Sequence, residues 1–263
     1  MSTLVFFHAH PDDECISTGG TIARASSEGH RVVLVMATGG EFGEKPDDLG
    51  PDETLAARRK LEASLSAATL GVHATYWLGY VDSGMTGWEQ NSAESAFWSA
   101  DVDVAGARLA HILQQERADV LVAYDWHGNY GHPDHIQVHR VGHAAARLAG
   151  TPKLFEATVN RDEMRALMKS MEAMTGEGPP FDVDGPADDG NPFGEPADKL
   201  THKVDVGHFI AQKRASMSCH KSQISDSSFF LTMPEEAFAA SFGTEWFIEV
   251  GTPGGTYASW LLD

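Results

Sequence analysis

The chain is poor in cysteine: Cys15 and Cys219 are its only two among 263 residues, and they form no Cys-x-x-Cys pair. That argues against a disulfide framework and fits a reducing compartment. Positive charge is scarce as well, with 19 Lys and Arg against 38 Asp and Glu and a formal net charge of -19. Binding to a nucleic-acid backbone relies on Lys and Arg neutralising phosphates, so that class of partner is disfavoured, and the acidic surface reads as a solubility device. No stretch approaches the ~18 apolar residues that a membrane span needs. The opening Met1–Glu14 has a very short apolar run and no basic lead, so it does not read as a signal peptide. A cytoplasmic protein is expected. There is no Gly-x-Ser-x-Gly elbow for a serine hydrolase and no Gly-x-Gly-x-x-Gly after the first strand for a dinucleotide. What is plentiful is ordinary core material: 42% of the residues are hydrophobic, enough for a folded globule.

Strand-like and helix-like segments alternate. Residues 4–8, 31–38, 75–78, 119–124 and 154–159 are short, β-rich and continuously apolar, and 245–250 is a further candidate strand. Residues 17–29, 54–70, 104–115, 134–148 and 207–221 carry helical signals, with Ser17 or Thr18 as N-cap of the first and Gly29 and Gly71 as stops. Continuous rather than alternating apolar strands predict a parallel sheet covered on both faces. The expectation is an α/β, Rossmann-like fold, mostly parallel, with a C-terminal elaboration, forming one domain over 1–263. Residues 160–205 are its variable part, and the Gly, Pro and Asp crowding of 175–197 marks either a mobile active-site loop or an insertion.

Two clusters carry chemistry. His10-Pro11-Asp12-Asp13-Glu14 follows the first strand and precedes a helix. Three adjacent acids repel one another unless a cation offsets them, whereas the bland reading is a solvated N-cap. Tyr130-Gly131-His132-Pro133-Asp134-His135 follows the fourth strand and opens a helix, with Pro133 where its missing N–H costs nothing. Carboxyl ends of strands are where open α/β sheets bind ligands, and two such clusters at equivalent places are hard to ascribe to chance. Imidazole and carboxylate together suit Zn²⁺ or Fe²⁺. A catalytic site uses three protein ligands and leaves a position open, and further groups must handle protons, so not every acid and histidine here is expected to be a ligand. His139 and His143 continue the spacing of four from His135 and read as supporting or surface residues. Cys15 reads as a small buried hydrophobe.

These residues resemble the PIG-L/LmbE-like family of metal-dependent de-N-acetylases, which includes deacetylases of glucosaminyl-inositol lipids and of low-molecular-weight thiol biosynthesis, and mycothiol conjugate amidases. The resemblance runs from Ala9–Glu14 through Gly19–Ala23, Thr38–Glu41, Arg59 with Glu62, Leu70–Val72, Asp82–Met85 and Gly131–His135, and more weakly over Lys213–Gln223. It implies hydrolysis of the N-acetyl amide of an N-acetylglucosamine-type small molecule, with a mycothiol-conjugate-type amidase cleaving a larger acyl group as the alternative. It implies one divalent metal, Zn²⁺ ahead of Fe²⁺, on His10, Asp13 and His135, and Asp12 as general base. Tyr130 is implied as an oxyanion donor and His132 as the histidine that supports the intermediate or protonates the leaving amine. Asp134 is expected to fix the His132 ring and raise its pKa, and Glu14 to give structural support. Arg59 and Asp82 fall where relatives hold substrate, Arg59 having a surface pair with Glu62 or Glu53 as its other reading. Ser17 stands where the conjugate amidases tend to carry lysine nearby, which favours the deacetylase. The resemblance leaves the oligomeric state open, a homo-oligomer included.

Overall fold

The computed structural model describes residues 1–175 and 182–263. In chain order the elements are β1 (Thr3–His8), α1 (Asp13–Ser17), α2 (Gly19–Ser27), β2 (Arg31–Thr38), α3 (Leu55–Leu70), β3 (Ala74–Tyr80), α4 (Val102–Glu116) and β4 (Val120–Tyr124). There follow α5 (Pro133–Ala149), β5 (Lys153–Thr158), α6 (Arg161–Thr175), β6 (His202–Asp205), α7 (Ile210–Met217), α8 (Phe229–Thr232), α9 (Glu235–Phe242) and β7 (Thr244–Glu249).

Among the described residues, seven strands join one sheet in the order β3-β2-β1-β4-β5-β7-β6. The first five pair in parallel, and β7 and β6 close the edge antiparallel. Phe6 and Phe7 are neighbours on β1 and so point to opposite faces, yet both are fully buried. Each face must therefore be covered, and each phenylalanine contributes about 1.5–3 kcal/mol by leaving water. The chain steps outward from β1 to β3 and then returns past β1 to β4. Right-handed crossovers that reverse direction lie on opposite faces, so α2 and α3 cover one and α4 and α5 the other. The packing agrees: α4 lies against α5, while α2, α3 and α7 pack together.

Several elements follow the sequence closely. α3 begins at Thr54, whose hydroxyl accepts from the Ala57 amide, and stops at Gly71 in the left-handed region. The helix predicted over 17–29 is α2, with Thr18 as its N-cap, and a separate short helix that the sequence did not suggest precedes it. α1 starts at Asp13, the chain breaks at Thr18 (φ -136°), and α2 follows. The break has a physical cause: Thr18 Oγ1 sits 2.9 Å from His8 Nε2 and donates to the Glu14 carbonyl, tying the turn back to β1. α6, β6, α8 and α9 are additional to the sequence reading. Of the Gly- and Pro-rich 175–197 segment, residues 176–181 lie outside the described ones, and 182–197 pack back onto the Tyr130 loop, where Tyr130 O accepts from Asp188 N and Asn129 O from Gly194 N.

The C-terminal strands are fastened to the first motif by one carboxylate. Glu245, at the start of β7, accepts the Gly20 and Thr21 amides, both at 2.8 Å. These are free N–H groups of the α2 N-terminus, where negative charge is favoured. Lys213 Nζ donates to the same carboxylate at 2.6 Å, and both side chains are 2% exposed. Removing one member of a buried pair leaves the other charge uncompensated, so Lys213→Met is expected to cost about 3–5 kcal/mol in urea unfolding. A loss below about 1 kcal/mol, the size of a surface pair, would show that the pair is not structural.

Candidate active site

β1 and β4 are neighbours, paired from Leu4 with Val120 to Phe6 with Val122. The strand order reverses between them, the place where open α/β sheets form a crevice at their carboxyl ends. The His10–Glu14 turn leaves β1 and the Asp125–His132 loop leaves β4, so the sheet itself brings together residues more than a hundred positions apart.

The first turn is built around its own acids. Asp13 Oδ2 accepts the His10 amide at 2.8 Å, and Glu14 Oε2 accepts the Asp12 amide at 2.9 Å. Asp12 takes φ 108°, a left-handed conformation that costs a non-glycine residue about 1–3 kcal/mol and that surrounding contacts must enforce. Arg59 supplies them: its guanidinium donates to Pro11 O at 2.6 Å, to Gly40 O at 2.8 Å and to Asp12 Oδ2 at 3.2 Å. Arg59 is thus a buried residue under the turn, and Glu53 is paired by Arg58 instead. Burial lifts the Asp12 pKa to about 6 against the pull of Arg59.

His10 is ringed by carboxylates. Its Nδ1 lies 3.5 Å from Asp13 Oδ2, and its Nε2 lies 3.1 Å from Asp134 Oδ2 and 3.5 Å from Asp82 Oδ1. Burial disfavours a charged imidazole, but Asp82, Asp13 and Asp134 outweigh it and hold the His10 pKa well above its ordinary value. Burial would raise Asp13, yet His135 and His10 pull it well below the carboxylate range.

The second cluster depends on a close approach. Gly128 has φ 63°, and a Cβ there would fall 2.2 Å from the Cβ of His135, so only glycine lets the loop lie against α5. His135 Nε2 then points at Asp13 Oδ2, 3.4 Å away. His132 caps α5, its Nδ1 accepting the Asp134 amide at 3.1 Å, which places the ring proton on Nε2. Tyr130 packs with its ring 4.9 Å from His135 and 6.2 Å from His132, and burial pushes its hydroxyl pKa up.

One expectation is corrected. The Asp134 carboxylate does not hold the His132 ring. It accepts from Ser83 N at 2.9 Å and from Ser83 Oγ, and it faces His10 Nε2. Burial, reinforced by the charges of His10 and His135, pushes the His132 pKa far down rather than up. Asp134 is two residues along the α5 backbone from His132, and its rotamer turns to the β1 side, where the Ser83 amide and hydroxyl are waiting. Asp82, beside Ser83, also faces His10 and accepts from Phe42 N and Gly84 N. Ser17 stands apart from this cluster. With Ile16 it lines a neighbouring cavity of about 630 Å³, whose walls are largely apolar and include Leu167, Phe193, Phe230 and Trp246.

Residues that sequence reasoning did not single out complete the support. Glu14 is fully buried, and its Oε1 accepts from Ser66 Oγ at 2.5 Å and lies 2.6 Å from His220 Nε2. His220 falls in the weakly matching 213–223 stretch, the only signal available for it. Ser83 lies in the matching Asp82–Met85 stretch, which gave it no role of its own.

The donor set has the features of a metal site. His135 Nε2 is buried without a hydrogen-bond partner and is aimed at a carboxylate oxygen that also meets His10. Potential ligand atoms of His10, His132 and His135 come within 4.8 Å of one another as well. Imidazoles converging on an ionised carboxylate, one of them unpartnered, fit a divalent cation.

Comparison with known proteins bears on the whole of this arrangement. Residues 5–146, which span both motifs, match the family described as PIG-L, GlcNAc-PI de-N-acetylase. A 1D-myo-inositol 2-acetamido-2-deoxy-alpha-D-glucopyranoside deacetylase of Thermobispora bispora is 37% identical over 95% of this chain and 89% of its own length. A relative of the same name from Acidothermus cellulolyticus is 38% identical over 94% of this chain and 88% of its own. Among solved structures, the N,N'-diacetylchitobiose deacetylase of Pyrococcus horikoshii superposes with a TM-score of 0.60 at 24% identity, covering 96% of this chain and 84% of that one, a likeness of fold. With both motifs inside the matched region and relatives aligned almost end to end, the chain belongs to the GlcNAc-PI de-N-acetylase family.

Proposed function

We propose that this protein hydrolyses the N-acetyl amide of an N-acetylglucosamine-type sugar, releasing acetate and the free amine, with one divalent metal held by His10, Asp13 and His135. The observation that carries the proposal is the orphaned His135 Nε2 facing the Asp13 oxygen that His10 shares. Zn²⁺ is the first choice and Fe²⁺ the second on the chemistry of the donors. The names of the relatives support an N-acetylglucosaminyl inositol as the first substrate to assay.

When bound, such a cation supplies Lewis acidity that polarises a carbonyl and acidifies water. The rest falls to the chain. Asp12, with a pKa near 6 and a fixed, strained backbone, takes the proton from the attacking water, since a base poised near the working pH is both free and strong enough. Arg59 sets its position. The proton then passes to the leaving nitrogen, so acetate and amine leave with water's atoms shared between them. His132 is neutral with its proton on Nε2, and it and the Tyr130 hydroxyl serve as donors to the carbonyl oxygen as charge develops there. Asp134 and Asp82 orient His10 from the outside, as carboxylates behind ligating histidines do.

A second reading has one observation in its favour. The apolar cavity beside Ser17 is roomier than an acetyl group requires, and an amidase that removes a larger acyl group would use it.

Protein stripped by a chelator is expected to release no acetate from an N-acetylglucosaminyl inositol and to recover with Zn²⁺ or Fe²⁺. Asp12→Asn should keep its metal and lose about 10²-fold or more in turnover. Asp13→Ala should lose one bound equivalent. Full turnover without metal, or the same metal content with the same loss in both variants, would reject these assignments. As for the acyl group, the N-acetyl substrate should turn over at least about tenfold faster than its N-hexanoyl analogue, and the reverse order would establish the amidase instead.

A further inference from the structure

α5 leaves the candidate site carrying three histidines at intervals of four: His135, His139 and His143. Only the first belongs to the site described above. His139 and His143 lie roughly 6 and 12 Å farther along the helix axis, too far for one ion to serve all three. They stand one above the other on the same face, with ring centroids 4.2 Å apart.

Both rings converge on a residue from another element. Glu156 lies on β5, opposite Ala123 of β4 on one side and Ile248 of β7 on the other. Its Oε1 is 2.7 Å from His143 Nε2 and 3.2 Å from His139 Nδ1. The Glu156 side chain is 12% exposed, and among the described residues no lysine or arginine pairs with it. A carboxylate buried within a sheet needs a compensating charge, which His139 meets by holding a proton, its pKa raised by Glu156 against burial, and which a cation on the imidazoles would meet in that proton's place. His139 and His143 are 21% and 32% exposed, so the cluster opens to solvent on one side and has room for water. His139 Nδ1 donates to the Tyr124 carbonyl at 3.1 Å, which fixes the orientation of its ring and leaves Nε2 as the nitrogen open to a cation.

Ligand atoms of the three residues lie within 4.8 Å of one another. We propose that His139, His143 and Glu156 form a second divalent transition-metal site, separate from the candidate active site. Two histidines one helical turn apart with a single carboxylate favour a Zn²⁺-like ion over Ca²⁺ or Mg²⁺, which prefer all-oxygen cages. Such an ion clamps α5 to β5, the helix that presents His135 to the strand next to β4. From the sequence alone His139 and His143 read as supporting or surface residues. What that reading lacks is Glu156, whose place opposite them is set by strand register.

The test is metal stoichiometry on the full-length protein, stripped and titrated with Co²⁺ or Zn²⁺ alone and read by calorimetry and by the Co²⁺ absorption bands. Wild type should bind two equivalents per chain. His143→Ala and, separately, His139→Ala should each bind one, and the metal-loaded variants should turn over within about twofold of wild type. Asp13→Ala should also bind one, and Asp13→Ala/His143→Ala none. A single equivalent in wild type that His143→Ala retains, or two equivalents retained by His143→Ala, would overturn the proposal. Failure of the active-site reading looks different: Asp13→Ala would then bind as wild type does while His143→Ala still lost one equivalent.

Discussion

The pairing of β1 with β4 is the constraint on which the rest of the structure depends. It places two strand ends side by side at the reversal of the sheet and lets each deliver its loop to the same crevice. The result is a concentration of negative charge that no isolated loop would tolerate: Asp13, Asp82 and Asp134 all lie within 3.5 Å of the His10 ring. Folding brings these groups together because the strands are fixed by fully buried apolar side chains, among them Phe6, Phe7, Leu34 and Val122. Mutual repulsion is offset by imidazoles and backbone amides, and a cation completes the balance in the function proposed above. The sheet provides the force and the site absorbs the strain.

Division of labour within the crevice follows from which atoms are already engaged. Arg59 has its donors on Pro11, Gly40 and Asp12, so it acts on the geometry of Asp12. His132 has one nitrogen committed to an amide and the other left over. Asp134 is held on two sides by Ser83 and addresses His10. Asking where each hydrogen-bonding group is already satisfied separates positioning residues from those with a free functional atom: Arg59 Nε and His135 Nε2 are both buried and unanswered, and of the two only the imidazole nitrogen can ligate a cation.

Much of this was legible in the amino-acid order because it is local. The run Arg31–Thr38 is continuously apolar from Val32 to Ala37 and is a strand with those limits. Thr54 and Gly71 bracket a helix for reasons of capping and left-handed conformation that hold in any protein. The motifs after β1 and β4 announced themselves by residue type. What could not be read depends on partners far along the chain. Glu14 meets His220 across 206 positions, and no periodicity encodes that meeting. Asp134 was expected to serve its near neighbour His132, whereas the fold offered it Ser83 and His10. α1 is not legible because Asp13 and Glu14 look like loop residues until their buried partners are known. β6 is four residues long, too short for a pattern.

The carboxylate of Glu245 carries a consequence for how the protein comes into being. The amides it accepts belong to α2, which leaves the ribosome more than two hundred residues earlier. Until β7 is synthesised, a nascent chain holds both motifs and most of its sheet but has no acceptor for the start of the helix behind the first motif. The stretch that matches the family, residues 5–146, therefore holds neither the carboxylate that caps α2 nor β5, β6 and β7 of the sheet. A fragment cut at that boundary would keep every ligand proposed for the catalytic ion and lose the tail that locks their scaffold in place.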